Sequence, residues 1–342
     1  MKLGILKAWD KLHHRHYVDA CKALKVDYEV IDILSANWID KVKTSGCDGF
    51  LCRPPCDFQE RKSIYDEKIY FINKFLDKPI YPSFDEQFIY ENKRNMASFL
   101  EIMGFPHPKT NVFSRKEDAL QYIESCLYPI VFKSNVGASA TGVTIVRDKQ
   151  HAKKIILSVF GRFNSLLTFG KIMFLKSNKL YGLKFPAFGS IQKHYVIIQE
   201  YHKIKWEWRI IKIGDSYFGH QKLLTGDFAS GSGIDAVGWI DPPKELLLLV
   251  KEVCEKGKFL SMSVDIFETV NGEYLINELQ THFGAYDRPQ MYIDGVAGRY
   301  IFENGLFVFE EGEDFNKFRN NILRVEHFMA LLKNEDLAKV KV

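Results

Sequence analysis

The stretch Ser263-Val264-Asp265-Ile266-Phe267-Glu268-Thr269-Val270-Asn271-Gly272-Glu273-Tyr274-Leu275-Ile276-Asn277-Glu278-Leu279-Gln280 reads as two β-rich runs about an Asn-Gly dipeptide. Asn-Gly favours a two-residue type I′ hairpin turn, which would pair Val270 with Glu273. Partner numbers then sum to 543, so Asp265 lies opposite Glu278, with β-carbons about 4.5–5.5 Å apart. Gln280 shares that face by the period of two and lies opposite Ser263. Two carboxylates held side by side repel unless a proton or a cation separates them. A hard divalent ion, Mg²⁺ or Mn²⁺, held through carboxylates plus phosphate oxygens, meets that need. The bland alternative is an exposed acidic hairpin.

Upstream, Pro129-Ile130-Val131-Phe132-Lys133 reads as a strand, followed by Ser134-Asn135-Val136-Gly137-Ala138-Ser139-Ala140-Thr141-Gly142 and a second strand, Val143 to Val146. Small residues let backbone amides approach phosphate oxygens, hydroxyls add donors, and the Lys133 ammonium neutralises charge. A flexible turn would read the same way, and no G-x-x-x-x-G-K-[ST] occurs in the chain. The strand Val196 to Tyr201 ends in Gln199-Glu200-Tyr201, with Glu207-Trp208-Arg209 shortly after. Such a strand end can bind an adenine edge, and a nearby carboxylate can accept from ribose hydroxyls. A surface pair is the plainer reading of Glu207 and Arg209. Gly231-Ser232-Gly233-Ile234-Asp235-Ala236 fits a relaxed dinucleotide fingerprint but lacks its strand and crossover helix, so a glycine loop beside a ligand is the better reading.

Residues 1 to 82 alternate short apolar runs with amphipathic stretches, which predicts a parallel α/β sheet ending at the Pro-punctuated crossing Lys78 to Ser83. Ligands of such sheets bind beyond strand carboxyl ends, which directs attention to Arg53. A helix follows from about Tyr90 to Met103, and Ser114-Arg115-Lys116-Glu117 reads as a capping box opening another. A terminal helix spans about Phe315 to Leu332.

The chain has 342 residues, 46% of them apolar, enough for one large core or two to three smaller ones and too many for a disordered protein. No apolar run approaches the roughly 18–20 residues that cross a bilayer. The charged N-terminus does not resemble a secretory signal, so a cytoplasmic protein with reduced thiols is expected. A net charge of +4 argues against a dedicated nucleic-acid binder. That total conceals an asymmetry. From Lys149 to Gln199 there are nine basic side chains and no acid, which leaves 38 basic against 43 acidic side chains elsewhere. Eight aromatic residues interleave with those cations, from Phe160 to Tyr195. The segment suggests recognition of an acidic, phosphorylated or saccharide-containing partner, against the alternative of a basic surface over an aromatic core.

In this order the pieces resemble the ATP-grasp superfamily, in particular its carboxylate:amine ligases such as D-alanine:D-alanine ligase, glutathione synthetase and the glutamate-adding ligases. The resemblance runs from about Asn92 to Gly284 and implies an α/β protein in which two α+β subdomains enclose ATP, preceded by a parallel-sheet domain. The implied division is residues 1–82, then 83–342. The latter comprises a lid at about 108–195, with the basic insertion at 149–195, and a metal-binding part at about 196–342.

By the same resemblance Lys93, in Asn92-Lys93-Arg94, and Lys133 reach the phosphates, with Ser134, Gly137, Ser139 and Gly142 in the covering loop. Gln199, Glu200 and Tyr201 match the adenine hinge, Glu207 the ribose acid, and Arg209 a phosphate-side arginine. Lys222 matches the part covering the triphosphate and acyl group, and Asp265 and Glu278 match the metal acids. Gln280 stands where the family usually has Asn, and Arg288 and Arg53 are candidates for gripping an acceptor carboxylate. The implied chemistry is phosphorylation of a carboxylate by ATP with Mg²⁺ or Mn²⁺, then attack of an amine on the acylphosphate, with small-molecule substrates and a homodimer left open. A small-molecule kinase and a non-catalytic nucleotide-binding module are the alternatives.

Overall fold

The computed structural model describes residues 1–9, 14–137, 142–161, 192–226, 228–229, 236–283, 290–312 and 319–333. Most of the basic insertion, including Lys176 and Lys179, lies outside them, as does the glycine loop at 231–235.

The first sheet is parallel in the order β2-β1-β3-β4, with β1 (Lys2–Lys7), β2 (Asp27–Asp32), β3 (Gly49–Leu51) and β4 (Ile80–Tyr81). Helices α1 (Arg15–Ala23), α2 (Trp38–Thr44) and α3 (Gln59–Lys74) connect them. Consecutive Leu3 to Leu6 are all buried because both sheet faces are covered, as parallel sheets require. One face is covered from the far end of the chain. Val325, Phe328 and Leu331 of α9 (Arg319–Lys333) pack with Leu3, Ile5 and Tyr17. Phe328 lies so close to Gly49 that an added β-carbon would stand 2.5 Å from its ring.

Helix α4 (Phe84–Ile89) follows β4 and carries a true capping box, Ser83 with Glu86. The same Ser-x-x-Glu pattern at Ser114 is not used: α6 (Lys116–Ser125) has Arg115 at its N-cap, with no side-chain cap bond. The difference lies in Glu86, which is fully buried and also accepts the Ser261 N–H at 2.6 Å. Helix α5 (Lys93–Met103) is capped by Asn92 and stopped by left-handed Gly104.

Two antiparallel sheets follow. The smaller has the order β5-β8-β6-β7, from β5 (Thr110–Phe113), β6 (Ile130–Lys133), β7 (Val143–Val146) and β8 (Val196–Glu200). Helices α6 and α7 (Lys149–Phe160) bury Ala119, Ile123, Ile155 and Ile156 against it. The larger runs β15-β14-β9-β10-β17-β16. Its strands are β9 (Ile204–Ile213), β10 (Ser216–Lys222), β14 (Ser261–Thr269), β15 (Tyr274–Gln280), β16 (Tyr292–Ile293) and β17 (Val296–Glu303). Short β11 (Leu224–Thr225) and β12 (Phe228–Ala229) pair with each other, β13 (Val237–Gly238) joins β10, and β18 (Leu306–Glu311) joins β17. Helix α8 (Lys244–Lys256) buries Leu246, Leu247, Val250 and Val253 against one face. The opposite face carries the charged residues.

Asp265 does lie opposite Glu278, and Ser263 opposite Gln280, but the predicted turn is not what sets this register. Gly272 has φ +83° while Asn271 is not left-handed, and Gly272 N–H donates to Thr269 O at 3.0 Å. The loop is therefore three residues with a left-handed glycine, which lowers the register sum by one. A β-bulge between Asp265 and Ile266 restores it, leaving Asn277 without a partner opposite. The type I′ geometry appears instead at Asn304-Gly305, with φ of 51° and 83°. Thr269 accounts for the difference, since its hydroxyl accepts the Glu273 N–H at 3.1 Å and draws the turn closed one residue early.

Candidate functional site

Four strands place a row of polar side chains on one sheet face: Glu278 on β15, Asp265 on β14, Arg209 on β9 and His220 on β10 are cross-strand partners in sequence. Lys222 and Glu207 form the next cross-strand pair. Arg209 grips Asp265 with two bonds, Nε to Oδ1 at 2.8 Å and Nη2 to Oδ2 at 2.9 Å, and Nη2 also reaches Gln280 Oε1 at 3.2 Å. Lys222 Nζ donates to Asp265 Oδ2 at 2.9 Å and to Glu207. Asp265 and Arg209 are 1% and 5% exposed, so this is a buried ion cluster. Burial alone would raise the Asp265 carboxyl, but Arg209 and Lys222 hold it well below the usual range.

From the other side of the cleft come two lysines. Lys93, at the first turn of α5, lies 3.3 Å from Glu278 Oε1 and donates to Gly137 O at 3.1 Å. Burial pulls its pKa down, but Glu278 and Glu91 outweigh that and leave it raised. Lys133 ends β6 and donates to Asn277 Oδ1 at 2.9 Å. Burial, with Lys93 nearby, lowers its ammonium to about 8. A small cleft between the two antiparallel sheets is lined by Lys93, Lys133, Gln199 and Asn277, with Met96 and Ile197 as apolar walls.

The loop after β6 is tied down from several sides. Ser134 N–H donates to Gly142 O at 2.7 Å, and the Ser134 hydroxyl to Val136 O at 2.8 Å. Gly142 has φ +82°, a conformation open to glycine. Glu91, itself left-handed at φ +49°, accepts the Gly137 N–H at 3.0 Å. Asn135 docks the loop on α5 by accepting the Arg94 N–H at 3.0 Å. Gln199 is buried and donates to Thr110 Oγ1 at 2.9 Å, while Glu200 points outward and Tyr201 is half-buried. Arg53 follows β3, its N–H donating to the Tyr65 hydroxyl at 2.9 Å. Ser139 and Arg288 lie outside the described residues.

Asn277, Glu91 and His220 belong to the site and were not anticipated from the sequence. Asn277 is the bulged residue, so it departs from strict alternation and faces the cleft, donating to Glu207 Oε1 at 2.7 Å. Its signal was the spacing of buried Ile276 and Leu279, three apart where an unbroken strand has two. Glu207 has both oxygens engaged, by Lys222 and Asn277, so a ribose contact would require release of one of them.

Lys93, Lys133, Arg209 and Lys222 balance Glu91, Glu207, Asp265 and Glu278 in formal charge. A polyphosphate entering this neutral cluster would need added cations. The oxygen set of Asp265, Glu278, Gln280 and Asn277 suits a hard divalent ion. Glu278 fits most readily, being partly exposed and loosely paired. Both Asp265 oxygens are occupied, so Lys222 would have to yield before Asp265 could ligate. Among the described residues no three His, Cys, Asp or Glu side chains converge as a metal site, so amide and phosphate oxygens would complete one.

No protein-family model and no curated protein sequence matches the chain. Solved structures do. D-cycloserine synthetase DcsG aligns at TM-score 0.59 and 14% identity, over 97% of this chain and 100% of that one. D-alanine–D-alanine ligase from Bacillus anthracis aligns at 0.52 and 15%, over 98% and 99%. An N5-carboxyaminoimidazole ribonucleotide synthetase, solved as an ADP complex, aligns at 0.53 and 14%, over 83% and 70%. The chain has the ATP-grasp fold.

Proposed function

We propose that the chain is an ATP-dependent carboxylate:amine ligase that forms an amide through an acylphosphate, releasing ADP and phosphate. The observation that carries this reading is the convergence of Lys93 and Lys133 on the Asp265–Glu278 face, in a charge-balanced cleft between two sheets. Lys93, Lys133 and the loop residues Ser134, Gly137, Ser139 and Gly142 would hold the phosphates, and Gln199, Glu200 and Tyr201 the adenine. Glu207 would reach the ribose or, as its bonds favour, set the position of Lys222 and Asn277. Glu278, Gln280 and Asp265 would hold Mg²⁺ or Mn²⁺, whose chemistry is to neutralise the transferring phosphoryl group.

Arg209 and Lys222 supply fixed positive charge at the same centre. Arg288 and Arg53 would grip an acceptor carboxylate, the acceptor being an amino acid or a sugar acid. The proposed substrates are small molecules, an acidic saccharide among them through the basic segment. Among the described residues no helix is long and apolar enough to cross a membrane.

The test is ADP release screened against carboxylates and amines, singly and in pairs, with Mg²⁺. The ligase reading predicts full turnover only with both present. ADP release with a single alcohol or phosphate acceptor would make the protein a kinase instead.

A further inference from the structure

His220 completes the polar row, yet neither the phosphates nor the metal requires it. It is 7% exposed and stands opposite Arg209 across β9 and β10. Its Nδ1 lies 2.8 Å from the Gln290 carbonyl oxygen. A carbonyl can only accept, so Nδ1 carries the proton and Nε2 keeps its lone pair. Among the described residues Nε2 has no hydrogen-bond partner, and it is not among the fully occluded polar atoms. The Trp239 ring, 5.6 Å away, covers the imidazole, and Trp239 in turn packs edge-on against Tyr292 at 5.0 Å. A buried imidazole of fixed tautomer, with an open lone pair on the face bearing Arg209 and Asp265, is built to receive a proton.

We propose that His220 Nε2 accepts the proton that the incoming amine must shed before it attacks the acylphosphate. The proposal rests on the ligase reading. An ammonium loses H⁺ to Nε2, and the freed nitrogen lone pair forms the C–N bond at the acyl carbon. The acyl C–O bond then breaks, its electron pair leaves on phosphate, and the newly bonded nitrogen gives its second proton to that phosphate, which leaves a neutral amide. The imidazolium returns its proton to that phosphate or to water.

The groups facing His220 explain when this happens. Burial, then Arg209, lowers the imidazole to about 4, with Lys222 acting in the same direction and Asp265 against it. In the free protein the imidazole is therefore neutral at pH 7. Phosphate anions bound beside Arg209 and Lys222 offset those cations and bring the imidazole nearer the range suited to proton transfer.

The experiment compares wild type with His220→Gln in ADP release, using proteinogenic amino acids and sugar acids as carboxylates. The nucleophile is either hydroxylamine, unprotonated at neutral pH, or an amino acid amide, largely protonated. The proposal predicts loss of about 100-fold or more with the amide nucleophile, the scale of general base catalysis. It predicts near wild-type release with hydroxylamine. Equal loss with both, or no loss with either, overturns it. If no carboxylate supports ADP release in wild type with hydroxylamine, the ligase reading itself falls, and the proposal with it. A second measurement needs neither a substrate nor a stable variant: the imidazole ¹⁵N spectrum of the wild-type protein at pH 7. The expected signal is a neutral Nδ1–H tautomer at His220, and an imidazolium or an Nε2–H form overturns the proposal.

Discussion

Replacing Asp265 with Asn and replacing Glu278 with Gln each remove one carboxylate of the central pair, yet the two variants should behave very differently. Asp265 is 1% exposed and bound by Arg209, 5% exposed, and by Lys222, 8% exposed. The Asp265→Asn change would leave the guanidinium half-satisfied and a buried positive charge uncompensated. Breaking one partner of such a pair costs about 3–5 kcal/mol. Total stability is of order 5–15 kcal/mol, so this is a large share of it. At roughly 2–4 °C per kcal/mol, the unfolding midpoint should fall by about 6–20 °C.

Glu278 has a side chain 21% exposed, and among the described residues its one ion pair, with Lys93, is 3.3 Å long. Lys93 also has Glu91 nearby and the Gly137 carbonyl at 3.1 Å, so Glu278→Gln should cost under about 1 kcal/mol. Scanning fluorimetry of both variants without ligand measures the stabilities, and Mg²⁺-dependent ADP release measures function. Asp265→Asn within 2 °C of wild type, or Glu278→Gln falling as far as Asp265→Asn, would refute the assignment of Asp265 to a buried ion cluster. Glu278→Gln should nonetheless abolish turnover, and wild-type activity in that folded variant would sink its metal role.

Three further outcomes are expected. Burial raises the Glu86 carboxyl to about 7, well above its ordinary 4.5, so the folded protein binds this proton more tightly than the unfolded chain. Stability should therefore fall by about 3 kcal/mol as pH rises from about 4.5 to 7, and level off above. Denaturant titrations of wild type against Glu86→Gln isolate this slope, and parallel pH profiles would contradict it. Asn277→Ala removes the bonds that position Lys133 and Glu207, and should weaken binding of a fluorescent ATP analogue about 5- to 30-fold with little loss of stability. None of the six cysteines is in a disulfide, and Cys56 and Cys126 are partly exposed while the other four are buried. A thiol-reactive chromogenic disulfide should thus label two thiols quickly in the native protein and six in denaturant; rapid labelling of four or more would contradict the burial.

The sequence made the ATP-grasp architecture legible because its strongest signals were local: alternating strands and helices up to Pro82, the Lys133 strand and loop, and the acidic hairpin. Facing Asp265 with Glu278 was correct, but two one-residue shifts had cancelled to make it so. Turn chemistry names a preferred loop, whereas the Thr269 hydroxyl, several residues away in bond path, decided it. The two Ser-x-x-Glu patterns teach the same lesson, since only Glu86 gains a tertiary acceptor role at Ser261. Asn277, Glu91 and His220 were hidden for a related reason. A bulge, a left-handed backbone and a cross-strand neighbour are each set by contacts among segments far apart in the chain. The pairing of Asp265 with Arg209 and Lys222 was likewise invisible to a reading of the hairpin alone.

The central claim is that a substrate carboxylate is activated by phosphorylation, and isotope transfer tests it most directly. A carboxylate found in the pairwise screen is labelled with ¹⁸O and turned over with ATP, Mg²⁺ and amine, and the released phosphate is analysed by mass spectrometry. An acylphosphate route carries one carboxylate oxygen into each phosphate, so labelled phosphate should equal amide formed. Unlabelled phosphate accompanying amide formation, or ADP released with no phosphate, would contradict it.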